Sequence, residues 1–231
     1  MDNIFKFKKF HILQDNSVFK VGTDSVLLGC LANLNEAAAI LDIGTGTGIL
    51  SLMCAQRNPY SQITAIDSEK NAYLLALKNF KNSPFSNNIT CIHADLISLN
   101  TDKKFDYIIC NPPYFKISKK LHQIHPIARH QIKLNYEDLI RMSALLLSEK
   151  GKIGYIFPIE NEQEVIELTK RYNLFPEKII YIMGIKNGKI KRVFVELCRN
   201  NKKTSLKKFI IEEKPRIWSE EYKNLTKDFY L

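Results

Sequence analysis

One feature constrains this chain above the rest: an apolar segment that runs straight into a glycine-spaced turn. Ala39-Ile40-Leu41-Asp42-Ile43 has the composition of a strand buried on both faces, and Gly44-Thr45-Gly46-Thr47-Gly48 follows without a break. Glycines spaced this way let the backbone turn sharply and approach a ligand, and Ile49 to Gln56 then reads as a helix. Strand, glycine turn and helix form the opening unit of an α/β fold. By itself the spacing fits a dinucleotide, a nucleoside cofactor or simply a tight turn.

The same alternation continues along the chain. Gln62–Asp67, Ile89–His93 and Phe105–Cys110 read as strands, with a helix over Lys70–Phe80. Further on, Tyr136–Leu147 and Asn161–Arg171 have helical spacing. Gly151–Phe157, Lys178–Met183 and Arg192–Cys198 read as strands, the last two as an antiparallel pair. Ser25–Ala32 reads as a short helix ahead of the first strand. Together these predict a single doubly wound, mostly parallel, seven-stranded Rossmann-like sheet. The expected organisation is one domain over residues 1–231, with 1–38 as an N-terminal cap and closing segment and 39–231 as the core.

Three acids surround the glycine turn. Asp42 stands near the end of the first strand, Asp67 ends the second and Asp95 follows the third, all at carboxyl ends where ligands bind in such sheets. An acid at Asp67, about 20 residues past the turn, suits ribose hydroxyls. Asp95 suits an adenine amine. A carboxylate at Asp42 would repel a pyrophosphate, but it suits the ammonium group of S-adenosylmethionine. Each acid taken singly also fits a helix cap or turn.

The fourth strand runs directly into Asn111-Pro112-Pro113-Tyr114. Two prolines there make a rigid, extended backbone, which fixes the Asn side-chain oxygen and a nearby carbonyl as acceptors. An exocyclic adenine amine is a poor nucleophile because its lone pair is delocalised into the ring. Two acceptors on its hydrogens favour the tetrahedral form that attacks, and a sulfonium methyl donor then needs little beyond alignment. Tyr114 offers a face on which an extruded base can stack. The plain alternative is a proline turn with a packed Tyr.

Charge points the same way. Among 231 residues the net charge is +10, which suits a polyanionic partner, although a sequence rich in Lys, Asn and Ile also arises from base composition. Lys116, Lys119 and Lys120 follow the Asn111 turn and, with Arg129, are candidate RNA contacts. Lys186 to Arg192, Lys202-Lys203 and Lys207-Lys208 are further basic stretches. The segment Ser118 to Gln131 is expected to be a flexible, substrate-contacting loop. Its histidines, His122, His125 and His130, lack the Cys or acid that would complete a metal site, so no metal is expected. Five scattered cysteines without CxxC spacing read as reduced core residues of a cytoplasmic protein. The lack of an export signal or a membrane-length apolar run fits that location.

Asp42 to Gly48 together with Asn111 to Tyr114 resemble the class I amino-methyltransferases that carry an Asn/Asp-Pro-Pro-Tyr loop. Three more segments narrow the resemblance: Phe10–Gln14 followed by Phe19–Gly29, Ala128-Arg129-His130 with Tyr136–Leu139, and the terminal Leu225–Leu231. With them nearly the whole chain is similar to the bacterial tRNA (adenine-N6)-methyltransferases that modify the adenosine just 3′ of the anticodon of tRNA1(Val).

The resemblance implies S-adenosylmethionine as cofactor and tRNA as partner, and a monomer is expected. It implies that Asp42, Gly44 and Gly48 line the methionine part, Asp67 the ribose and Asp95 the adenine, with Thr45, Gly46 and Leu96 as further cofactor contacts. Asn111, Pro112, Pro113 and Tyr114 would hold the target amine, with Asn111 also against the cofactor. Lys20, Gly22 and Thr23 would close over the site, with Asp24 either taking part or capping the following helix. Related enzymes often carry Glu where Asp67 stands, and either acid can chelate a ribose diol. Two alternatives stay open. One is a protein glutamine methyltransferase, which shares the tetrapeptide but ordinarily has a helical domain too large for the 38 residues before the first strand. The other is a non-catalytic RNA-binding protein.

Overall fold

The computed structural model describes residues 3–112 and 135–231. An antiparallel hairpin, β1 (Asn3–Lys6) and β2 (His11–Gln14), precedes α1 (Thr23–Leu31). Then come β3 (Ala39–Ile43), α2 (Ile49–Arg57), β4 (Gln62–Asp67), α3 (Lys70–Lys81), β5 (Ile89–His93) and β6 (Phe105–Cys110). The rest is α4 (Tyr136–Leu146), β7 (Leu147–Pro158), α5 (Glu162–Arg171), β8 (Phe175–Ile185), β9 (Ile190–Cys198), β10 (Ser205–Lys214), β11 (Ile217–Trp218) and α6 (Glu220–Thr226).

Among the described residues the sheet has nine strands, in the order β11-β10-β8-β9-β7-β6-β3-β4-β5. The expected seven strands are all present, and β10 and β11 extend them. Neither carries a strand signal in its sequence. β10 carries Lys207 and Lys208 in an exposed stretch and has no alternating pattern until Phe209, and β11 is two residues long. The lysines at 207 and 208 therefore decorate a strand rather than a free basic tail. Pairing is parallel from β5 through β7 and again between β8 and β10. It is antiparallel where β9 meets β7 and β8, as expected for the late pair.

Successive strand residues face opposite sides of a sheet, and here both sides are covered. Ile40 packs with Leu27, Leu28, Leu52, Met53 and Phe80 under α1, α2 and α3, whereas its neighbour Leu41 packs with Leu139, Ile140, Val165 and Leu168 under α4 and α5. That double burial explains why β3 and β6 are nearly continuous apolar runs. The two ends of the chain meet on the first face. Phe7 stacks on Tyr230 at 5.8 Å between centroids, and the Lys8 amide donates to the Phe229 carbonyl at 2.8 Å.

β3 pairs with β4 on one side and with β6 on the other. The chain winds outward from β3 through β4 to β5, then returns to lay β6 on the opposite edge. This reversal opens a crevice at the carboxyl ends of β3 and β6, the place where open α/β sheets bind ligands.

Candidate functional site

The crevice is a cavity of about 790 Å³, within the roughly 300–1,000 Å³ of small-molecule sites. Its floor is the glycine turn. Gly44 (φ 68°) hangs its amide, with that of Thr45, on the Ile66 carbonyl at 3.0 Å, and open space surrounds the position of an added Cβ. Gly48 (φ 84°) serves a different purpose, since a Cβ there would run into the Phe80 ring. It allows α2 to start against α3 and is not part of the cavity lining, whereas Gly44, Thr45 and Gly46 are.

Asp67 ties this floor to the neighbouring strand. Its Oδ2 accepts from the Gly46 amide at 2.9 Å and its Oδ1 from the Glu69 amide at 2.9 Å. Burial raises its pKa, against the lowering effect of those two amides. Asp95 and Leu96 also line the cavity, and the Ile97 amide donates to Asp95 Oδ1 at 2.9 Å, which fixes the carboxylate after β5.

Asp42 is not among the residues that line the cavity. It is fully buried beneath the turn and outside the cavity wall. Its Oδ2 accepts from the Thr45 hydroxyl at 2.7 Å and the Ser51 hydroxyl at 2.6 Å, while Oδ1 has no hydrogen-bond partner among the described residues. Burial pushes its pKa up to about 6, with the two hydroxyls opposing. The acid thus shapes the turn from below and adds negative potential to it.

Asn111 leaves the end of β6 and lines the cavity beside Pro112, Cys110 and Ser25. Its Nδ2 donates to the Ser25 hydroxyl at 2.9 Å. The cavity wall also includes Lys20, Gly22 and Thr23, so the segment before α1 and the Asn111 turn share one space. Pro113, Tyr114, Lys116, Lys119, Lys120 and Arg129, and the whole of Ser118 to Gln131, lie outside the described residues.

Asp24 is not a helix cap. The residue at the head of α1 is Gly22, with no side-chain capping bond, and Asp24 Oδ2 instead accepts from Arg192 Nε at 2.8 Å. Arg192, grouped by sequence with a phosphate-tracking stretch, is a cavity residue; Lys186 of that stretch pairs with Glu213 at 2.7 Å. Sequence reasoning also passed over Ser25 and the half-exposed ring of Phe19 at the cavity wall. No spacing rule marks a contact between residues 86 or 168 positions apart. The five cysteines are all unpaired thiols, four of them buried. Among the described residues no cluster of metal-ligating side chains occurs, and no helix is long and apolar enough to cross a membrane.

Comparison with known proteins places the chain in a family of this fold. The family model described as "Methyltransferase small domain" matches residues 9–171. A protein of Flavobacteriaceae bacterium (strain 3519-10), named tRNA1(Val) (adenine(37)-N6)-methyltransferase, is 41% identical over 98% of this chain and 97% of its own length. A Vibrio cholerae protein of the same name is 38% identical over 98% of this chain and 95% of its own. Among solved structures, a predicted O-methyltransferase, Atu636 from Agrobacterium tumefaciens, superposes with a TM-score of 0.71 at 19% identity, covering 89% of this chain and 96% of that one, a likeness of fold. The chain belongs to the methyltransferase small domain family, and within it to the tRNA1(Val) (adenine(37)-N6)-methyltransferase group that these full-length relatives define.

Proposed function

We propose that this chain methylates the exocyclic N6 of an adenosine in tRNA, the adenosine 37 of tRNA1(Val) that its relatives' names specify, with S-adenosylmethionine as donor. One observation carries the reading: a carboxamide, Asn111, at the end of β6, lines the same cavity as Asp67 and Asp95.

The residues present fit the donor. Asp67 and Asp95 supply carboxylates for ribose hydroxyls and an adenine amine, the Gly44–Gly46 turn leaves room for close approach, and Leu96 adds an apolar surface. The orphaned Oδ1 of Asp42 fits a cationic ligand above the turn, because an unbalanced buried charge is favourable only toward a positive neighbour. When bound, the donor supplies an electrophilic methyl group on a sulfonium.

The chain's own residues do the rest. Asn111 Oδ1 accepts a hydrogen from the target amine, which holds the nitrogen lone pair out of conjugation. Pro112 keeps the backbone extended, so its acceptors need no reorganisation. As the N–C bond forms, the methyl group's bond to sulfur would break and leave a neutral thioether, and the nitrogen, made cationic and acidic, would release its proton to water in the open cavity. Pro113 and Tyr114 complete this loop in the proposal, with Tyr114 as the stacking face. Lys20, Lys116, Lys119, Lys120 and Arg129 track the tRNA phosphates. Residues 1–38 act as the closing segment of a single 231-residue domain, working as a monomer in the cytoplasm.

The test is methyl transfer to a tRNA pool lacking the modification, followed by nucleoside mass spectrometry. N6-methyladenosine in tRNA1(Val) is the expected product. Labelling of a release factor in place of tRNA, or no transfer at all, would overturn the assignment.

A further inference from the structure

Asp24 and Arg192 stand far apart in the chain and meet in the cavity wall. The Arg192 Nε donates to Asp24 Oδ2 at 2.8 Å, with the two side chains 30% and 21% exposed. Arg192 is held on one side by the sheet. It lies in β9, opposite Pro158 of β7 and Ile182 of β8. Asp24 lies in the first turn of α1, and the rest of that helix is firmly seated. Val26, Leu27 and Leu28 are fully buried, and Gly29 lies so close to Met53 of α2 that an added Cβ would sit 2.6 Å from its Sδ.

The next residue, Ser25, carries the contact onward, since its hydroxyl accepts from Asn111 Nδ2 at 2.9 Å. A continuous set of contacts thus runs from β9 through Arg192, Asp24 and Ser25 to the end of β6. The direction of the last bond matters chemically. A carboxamide has a donor end and an acceptor end, and an amine target needs the acceptor. With Nδ2 given to Ser25, Oδ1 is the end left to face the cavity, and donation by Nδ2 makes that oxygen more electron-rich.

We propose that the Arg192–Asp24 ion pair is a positioning device for the Asn111 carboxamide, acting through the first turn of α1 and the Ser25 hydroxyl. The inference rests on the reading of Asn111 as the acceptor for the target amine. A competing use of Arg192, as a contact to a tRNA phosphate, gives different kinetics. Small displacements of a reacting group are costly, of order 100-fold for about 1 Å.

The experiment uses the full chain, unmodified tRNA and S-adenosylmethionine, with Asp24→Asn, Arg192→Gln and the double variant. Each single change is expected to lower kcat by about 10- to 100-fold while the cofactor Kd, read by calorimetry, moves by less than about threefold. The double variant is expected to be no slower than the slower single one, because both remove the same pair. Ser25→Ala lowers kcat and Ser25→Thr, which keeps the hydroxyl, recovers most of it. Arg192→Lys, which keeps the charge, separates loss of the pair from loss of folding.

Two results overturn the proposal. In one, Asp24→Asn keeps the wild-type kcat while Arg192→Gln raises the tRNA KM and flattens its salt dependence, the signature of a phosphate contact. In the other, the two losses multiply in the double variant. Absence of methyl transfer to tRNA by the unaltered chain would instead remove the underlying function, and it is seen before any variant is made.

Discussion

The two halves of the cavity are built differently. The half under β3, β4 and β5 takes its groups from consecutive strand–helix units: Gly46 and Asp67 bond across 21 residues, and β3, β4 and β5 pair as successive parallel strands. The half around Asn111 draws on remote parts of the chain, with Ser25 reached across 86 residues and Arg192 reaching Asp24 across 168. The first half can form as soon as its own units fold. The second exists only when α1, β6 and β9 have all docked. Substitutions in the two halves should therefore separate, affecting cofactor affinity in one and turnover in the other.

The sharpest way to break this contrast is Asn111→Ala. Turnover should fall by about 100- to 1,000-fold, as for loss of one preorganised polar group, while calorimetry finds cofactor binding retained. A matched loss of cofactor affinity would merge the two halves into one.

Asp67→Ala is the reciprocal case. It removes a proposed ribose acceptor and the anchor of the Gly46 amide, so cofactor Kd should rise by about 10- to 100-fold. Turnover at saturating cofactor should change much less, and Asp67→Glu should recover part of the affinity. A kcat loss as large as that of Asn111→Ala would contradict the separation.

Asp42 sharpens the first half through pH. Its carboxyl ionises near pH 6 in the folded chain, against an ordinary 3.8, so the folded state holds the proton more tightly than the unfolded state. The destabilisation is absent below about pH 4, grows as pH rises and is complete above about pH 6, amounting to about 2–3 kcal/mol. Urea unfolding of wild type and Asp42→Asn should therefore diverge in the variant's favour between pH 4 and pH 7. Parallel curves would mean that Ser51 and Thr45 already balance the buried charge.

The smallest effect concerns the rim. Lys20 is exposed at the cavity wall, and Lys20→Ala should weaken tRNA binding a few-fold and reduce the slope of log affinity against log salt by about 1. An unchanged slope would remove Lys20 from the phosphate path.

How much of this was legible beforehand depends on distance along the chain. The strands Ala39–Ile43, Gln62–Asp67 and Phe105–Cys110 were readable to the residue, because a strand buried on both faces is a continuous apolar run between polar breaks, and Ile89–His93, the exposed edge strand, was readable from its β-branched residues. Asp67, Asp95 and Asn111 were readable as cavity residues because each stands at or just after the carboxyl end of a strand. β10 was not, since a strand on the outer side of the sheet with exposed lysines has no apolar alternation to betray it.

The sequence by itself determined the alternating α/β architecture, the glycine turn and the strand-end placement of its acids, because backbone propensity and hydrophobic period are local properties. Only the tertiary structure decided that Asp42 lies beneath the turn, that Gly48 answers to Phe80, and that Asp24 pairs with Arg192 and leaves its own helix uncapped. Those outcomes are set by which side chains meet when separate elements dock, and a carboxylate near a helix start reads the same whether it caps that helix or crosses to another strand.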